Sequence, residues 1–281
     1  MKNNIFLKYK DKHAGERVFL IANGPSLANT DLDFLKNENT IAMNRISLIY
    51  DKNPTWRPTY YLFSSTNVLH PVWGPAWTKS VRESIKEERT TSFISSKFRN
   101  AIDPDNALSR ARWFDSMSEN KPAKNGNILS SCFSTDVIDR IDKSGTTMNL
   151  ALQLVYHMGF SEVVILGADL GWTGDRGSKN GPSHFDTSYQ ADIPHEKVYK
   201  INNQMRNVHS LAIQSLHKKN NKIKMYNASL KTKLDVYPII DYKSYIIDDK
   251  ILYRDRELKE AMSFWDKPAQ YASLTKWEKS V

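Results

Sequence analysis

The sequence predicts an α/β fold: a doubly wound, mostly parallel sheet with a lid insertion and a helical C-terminal tail. Three observations predict it. Short, unbroken, β-rich apolar runs recur at 18–22, 40–43, 60–63 and 163–166. Runs of that length without polar alternation suit strands buried on both faces of a parallel sheet. The run at 148–158 is dense in Leu, Ala, Val and Met, is stopped by Gly159, and leads into 163–166; this is the helix-to-strand half of a βαβ unit. The apolar runs also end at Asn, Ser or Gly. In open α/β sheets ligands bind beyond the carboxyl ends of the strands, so those closing residues are the first place to look for chemistry.

The elements follow in order. The first strand runs into Asn23-Gly24-Pro25-Ser26, the second stops at Asn44, and the third at Ser64-Ser65. Residues 67–127 are rich in Trp, Ser, Arg and Asn, with short apolar groups such as Phe93-Ile94. They are expected to hold at most one strand and otherwise to cover the site. Residues 128–141 are ambiguous between strand and helix. Residues 170–196, with Gly171, Gly174, Gly177, Gly181, Pro182 and Pro194 among polar groups, are expected to form a lid loop. Val198, Ile201, Met205, Val208 and Ala212 then recur at helical spacing. Residues 223–227 are the expected last strand. The resulting division is a nucleotide-binding or transferase domain over 1–245, with insertions at about 67–127 and 170–196, and a helical tail over 246–281.

Composition narrows the function classes. The chain has 281 residues, 40% hydrophobic and 25% charged, which excludes intrinsic disorder and collagen. Cys132 is the only cysteine, so there is no intrachain disulfide. Together with the polar, Lys-rich first twelve residues this sets the expectation of a cytoplasmic protein. No run reaches the ~18 apolar residues of a membrane span. The net charge of +9 resides in one segment: between Lys197 and Lys233 there are nine Lys or Arg and no Asp or Glu. That segment carries only Tyr199 and Tyr226 as aromatics, which argues against nucleic acid as a partner.

The candidate chemistry sits at the strand ends. Gly24 lets backbone approach a phosphate or ribose, and the Asn23 amide can both donate and accept, although a tight turn with nothing bound has the same spelling. Ser144-Gly145-Thr146 opens a helix, where an anion or a simple N-cap is equally at home. Asp169 closes a buried strand beside Trp172 and could hold a hydroxyl, a metal or backbone amides. His184, in a polar run with Asp186 and Tyr189, is the favoured proton acceptor, ahead of His195. His209 and His217 are expected to be surface or packing residues. The Walker and dinucleotide fingerprints, zinc spacings and the hydrolase elbow are all missing.

The pieces Ile21-Ala22-Asn23-Gly24-Pro25-Ser26-Leu27, Ala42-Met43-Asn44-Arg45 and Leu152 to Asp169 occur in an order and spacing that resembles the MptE-like family, named for 6-hydroxymethylpterin diphosphokinase. The same pieces resemble its relatives, the bacterial lipooligosaccharide sialyltransferases. The resemblance covers roughly residues 17–240 and implies a Rossmann-like core. From the sialyltransferases it implies a metal-free glycosyltransferase acting on a CMP-linked sugar, with a glycan or glycolipid acceptor and no cofactor. Asn23, Asn44, Ser144, Gly145 and Asp169 match nucleotide-side positions of that pattern. Ser64 stands where a third Asn is usual, and Tyr189 and Trp172 occupy the leaving-phosphate region. The base of those enzymes would fall near Gln204, so His184 or His195 must serve here. From the diphosphokinases it implies instead Mg²⁺-dependent pyrophosphate transfer, with Asp169 and Asp186 as ligands. A non-catalytic nucleotide- or glycan-binding protein is the third reading. Peripheral membrane contact and homo-oligomerisation stay open.

Overall fold

A computed structural model describes residues 3–116, 133–170, 184–189, 195–218, 223–230 and 232–250. Its framework is a seven-stranded sheet: β1 (Arg17–Ile21), β2 (Thr40–Met43), β3 (Tyr60–Phe63), β4 (Thr91–Ser95), β5 (Ala111–Phe114), β6 (Glu162–Leu166) and β7 (Lys224–Asn227). The spatial order is β5-β4-β3-β2-β1-β6-β7, and every adjacent pair is parallel. The α/β Rossmann-like class expected from the sequence is therefore the one observed.

The unbroken apolar runs are explained by burial on both faces. Val18 and Leu20 of β1 point into one core, and Phe19 and Ile21 into the other, as the two-residue strand period requires. The first core is closed by α3 (Thr147–His157), by Ala212, Ile213 and Leu216 of α4 (His195–Lys218), and by Phe6 and Tyr9 of an N-terminal 3₁₀ helix. The second is closed by α1 (Gly74–Lys86) through Trp77, Val81 and Ile85, and by Tyr242 and Tyr245 of α5 (Tyr242–Asp248).

The polar residues inside α3 act as fasteners. Gln153 is fully buried; its Oε1 accepts the backbone N–H groups of Ser134 and Asp142, and its Nε2 donates to the carbonyls of Asp142 and Asn149. Leaving one such group unmet would cost about 1–3 kcal/mol. The bonds hold residues 133–142 as turns, with Val137 and Ile141 fully buried. That part of the ambiguous segment is thus neither strand nor helix. His157, one turn on, bonds the Phe6 carbonyl at 2.9 Å and anchors the N-terminus.

One expectation is corrected. The described part of 67–127 does not cover the site. It supplies α1, β4, α2 (Arg99–Ile102) and β5, one edge of the sheet. The signal was weak because β5 is an edge strand whose Ala111, Arg112 and Trp113 are only half-buried. No helix among the described residues is long and apolar enough to cross a membrane.

Candidate functional site

The chain winds outward from β1 through β2, then returns to place β6 on the other side of β1. The resulting switch point, beyond the carboxyl ends of β1, β2 and β6, is where open α/β sheets form their crevice. A cavity of about 140 Å³ lies there. Its polar lining includes Asn23, Gly24, Asn44, Thr146, Asp169, His184, Tyr189 and His209, and its apolar walls include Met43, Met148, Met205 and Leu234.

The loop after β1 is closed from within. Gly24 N–H donates to the Gly167 carbonyl at 2.7 Å. Asp169 accepts the backbone N–H of Ser26 at 2.7 Å and also the Ser26 hydroxyl. Five residues of 3₁₀ helix, Pro25–Asn29, follow in place of an α-helix. Two amides that would cradle a phosphate in a glycine-rich loop are thus already bonded, one of them to a carboxylate. Gly24, where backbone was expected to approach a phosphate or ribose, lines the cavity with its own N–H already bonded. Gly24 has an ordinary φ of −71°. It must be glycine because a Cβ would stand 2.5 Å from both Asp169 Oδ2 and the Gly167 carbonyl oxygen.

Asn23 is different. Its Nδ2 donates to the Met43 carbonyl at 3.1 Å, which ties β1 to β2. Its residue is 8% exposed, and its Oδ1 is buried with no partner among the described residues. Buried polar atoms are rarely left so. Among the cavity-lining residues described, this is the buried side-chain atom that lacks a partner.

Asn44 stands at the end of β2 with φ 57°, a left-handed conformation that Asn tolerates better than most residues. Its Oδ1 accepts the Thr147 hydroxyl at 3.2 Å, and its side chain also hydrogen-bonds the phenol of Tyr189. Thr146 caps α3, accepting the Met148 N–H at 3.3 Å, while also lining the cavity. Ser144 and Gly145 have φ 47° and 82° and form the turn into that cap. Ser64 is 1% exposed, and its carbonyl accepts the Thr147 hydroxyl at 3.2 Å. None of these last three is among the cavity-lining residues.

Residues 184–189 contribute His184 and Tyr189 to the cavity wall. The His184 ring stacks on Tyr189, centroids 3.9 Å apart and planes 6° from parallel. Burial holds the Tyr189 phenol above its usual pKa range, against the opposing pull of Arg45 and Asn44. Arg45, 4% exposed, donates to the carbonyls of Ser188 (2.6 Å) and Tyr189 and lies over the rings of Trp77 and Tyr189. Burial lowers its pKa. Trp172 lies outside the described residues, and so does the side chain of His195, whose backbone opens α4.

The sequence reading missed two residues here. Arg45 follows Asn44 at the end of β2, where nothing in the sequence alone assigns it a partner. His209, expected to be a bystander, is 4% exposed and lines the cavity. Its Nδ1 is 2.7 Å from the Tyr237 hydroxyl, and burial pushes its pKa down to about 4. The usable signal was spacing: His209 lies four residues after Met205 and one after Val208, on the apolar stripe of α4. The basic segment from Lys197 to Lys233 is only partly described. Arg206 pairs with Asp235 at 2.8 Å; the side chains of Lys197, Lys200, Lys218, Lys219, Lys222 and Lys231 lie outside the described residues.

The loop that leaves β7 is tied to the end of β6. Asn227 Nδ2 donates to Thr232 Oγ1 and the Leu234 carbonyl, and Ser229 Oγ accepts the Ala168 N–H at 2.9 Å. Lys233 N–H donates to the Asp169 carbonyl at 2.7 Å. This loop fixes the wall of the cavity that carries Asp169 and Leu234.

The chain matches no protein-family model and no curated protein. Among solved structures it is similar to the crystal structure of the sialyltransferase CST-II, a Tyr-to-Phe variant in complex with CMP. The TM-score is 0.38 at 18% identity, over 75% of this chain and 80% of that one.

Proposed function

We propose that the chain is a glycosyltransferase-like enzyme that uses a CMP-linked sugar to modify a surface glycan. The observation that carries this reading is the buried, unpaired Oδ1 of Asn23, a residue that lines the cavity at the switch point. An amide oxygen that neither water-facing exposure nor the protein satisfies is suited to accept from a ligand's hydroxyl or exocyclic amine, groups that a cytidine nucleotide presents.

The donor set fits this reading better than Mg²⁺-dependent pyrophosphate transfer. Asp169 is already bonded to Ser26, and Asp186 Oδ1 accepts from the Ser188 N–H and hydroxyl. The described residues contain no group of three His, Cys, Asp or Glu able to hold a metal ion. In the proposed step the acceptor hydroxyl oxygen bonds the anomeric carbon, the bond from that carbon to the phosphate oxygen breaks, and CMP departs with the bonding electrons. The hydroxyl proton passes to the His184 ring. Tyr189, kept protonated by burial, donates to the departing phosphate. His209 stays neutral and contributes a hydrogen bond.

At 140 Å³ the cavity is smaller than the ~300–1,000 Å³ of ligand pockets, so a nucleotide sugar would need it to widen. The test is differential scanning fluorimetry with CMP, CDP, UDP, GDP and ATP, with and without Mg²⁺. Stabilisation by CMP without metal is the expected result. Metal-dependent stabilisation by ATP alone would favour the diphosphokinase reading and overturn this one.

A further inference from the structure

Single exposed apolar side chains need no explanation, and Leu7, Phe34 and Ile247 are of that kind. Leu69 and Val72 are not. They are 57% and 81% exposed, lie three residues apart, and frame the exposed Pro71 on the segment between β3 and α1. Pro75 and Ala76, also exposed, extend this apolar tip onto the first turn of α1, and the half-buried Trp73 supports it from beneath, its ring 3.9 Å from that of His70. A Trp at the base of an aliphatic protrusion is the arrangement that suits a membrane–water interface.

The next turns of α1 change character. Its outward face presents the exposed Lys79 and Lys86 along a groove of about 600 Å³ floored by Val68, Gly74 and Pro75; the half-buried Arg82 between them also donates to the Ile102 carbonyl at 2.6 Å. Among the described residues lining that groove Glu83 is the one carboxylate, so the stripe stays net positive. Glu87 and Glu88 are drawn aside to Arg57 and Arg110. An apolar tip followed by a cationic stripe on one helix face is complementary to a bilayer whose surface is anionic: apolar groups enter the interface and lysines meet the phosphates. The tip follows the carboxyl end of β3, and Trp77 of the same helix packs on Tyr189 at 5.3 Å. It therefore stands at the same edge of the sheet as the cavity.

We propose that residues 69–86 form a docking face for an anionic membrane, which would present a lipid-linked acceptor to the mouth of the cavity. The docking itself is independent of the nucleotide reading, and its test uses no nucleotide.

The full chain is mixed with vesicles of phosphatidylcholine, with or without phosphatidylglycerol, and sedimented at low and high salt. Binding is expected to the anionic vesicles, and high salt weakens it. Leu69→Ser with Val72→Ser lowers the partition about tenfold or more, and Lys79→Glu with Lys86→Glu does the same and removes most of the salt dependence. Both pairs are exposed, so unfolding temperature stays at the wild-type value and confirms the fold. The proposal is overturned if the wild type binds no vesicle, or if both variants bind as the wild type does, which would place membrane contact elsewhere. It is equally overturned if the wild type is a dimer in solution that the Leu69/Val72 pair dissociates, since the tip would then bury against a second copy.

Discussion

Asp169, just past the end of β6, accepts both the backbone N–H and the hydroxyl of Ser26, which lies 143 residues earlier in the loop after β1. This bond pair fixes the two strand ends between which the cavity forms. It also converts a loop that looks ready for phosphate into one whose anion is already supplied by the protein. Beside this pair Asn23, which also lines the cavity, keeps a buried Oδ1 with no partner among the described residues.

The Ser26–Asp169 pair is coupled. Each of Ser26→Ala and Asp169→Asn should lower stability by about 1.5–3 kcal/mol, the worth of a buried bond to a charged group. The double variant should lose little more than the larger single loss. Denaturant unfolding of the four proteins measures it; additive losses would show that the two side chains act separately.

Gly24 is required by space. Gly24→Ala places a methyl 2.5 Å from Asp169 Oδ2 and the Gly167 carbonyl oxygen, and relieving that overlap should cost roughly 1–3 kcal/mol. Because part of the overlap is with Asp169 itself, the losses from Gly24→Ala and Asp169→Ala should be less than additive in the double variant. Unfolding temperatures of the single and double variants settle the point.

His209 sets a pH dependence. Its pKa in the fold is about 4, held down by burial, against an ordinary 6.5. Above pH 6.5 neither state binds the proton and the residue has no effect. As pH falls below 6.5 the unfolded chain protonates first, so stability drops, and the loss levels off below pH 4. From neutrality to pH 5 this amounts to about 2 kcal/mol. His209→Gln should remove that part of the pH dependence, read from denaturant midpoints at pH 7.5 and 5. An unchanged slope would mean that His209 is accessible to protons in the folded chain.

Arg45 holds residues 184–189 in place. Arg45→Met keeps the bulk between Trp77 and Tyr189 but removes the donors to the Ser188 and Tyr189 carbonyls. Limited proteolysis should cut this segment faster in the variant while the sheet stays resistant. Equal cleavage rates would assign the clamp to other contacts.

Much of the fold was legible because its signals are local. Residues 18–21, 40–43, 60–63 and 163–166 are continuous apolar runs, and burial on both sheet faces demands that continuity. Gly159 with φ 82° ends α3 as its sequence suggested. The unread part depends on partners distant in sequence. β5 is an edge strand with Arg112 and Trp113 in its centre, so no apolar run announces it. Of the candidate site, Asn23, Asn44, Asp169, His184 and Tyr189 do converge on one cavity. Their roles were not legible, since Ser26 and Asp169 lie 143 residues apart. His209 was overlooked because a histidine on an apolar helical stripe spells the same whether it faces core or cavity.

The central claim is that the cavity takes the nucleotide through Asn23. Isothermal titration of CMP, without metal, into the wild type and Asn23→Ala tests it most directly. The account predicts saturable CMP binding to the wild type and a loss of about tenfold or more in the variant, with both proteins folded by circular dichroism. Equal affinity in the two, or no CMP binding by the wild type, would contradict it.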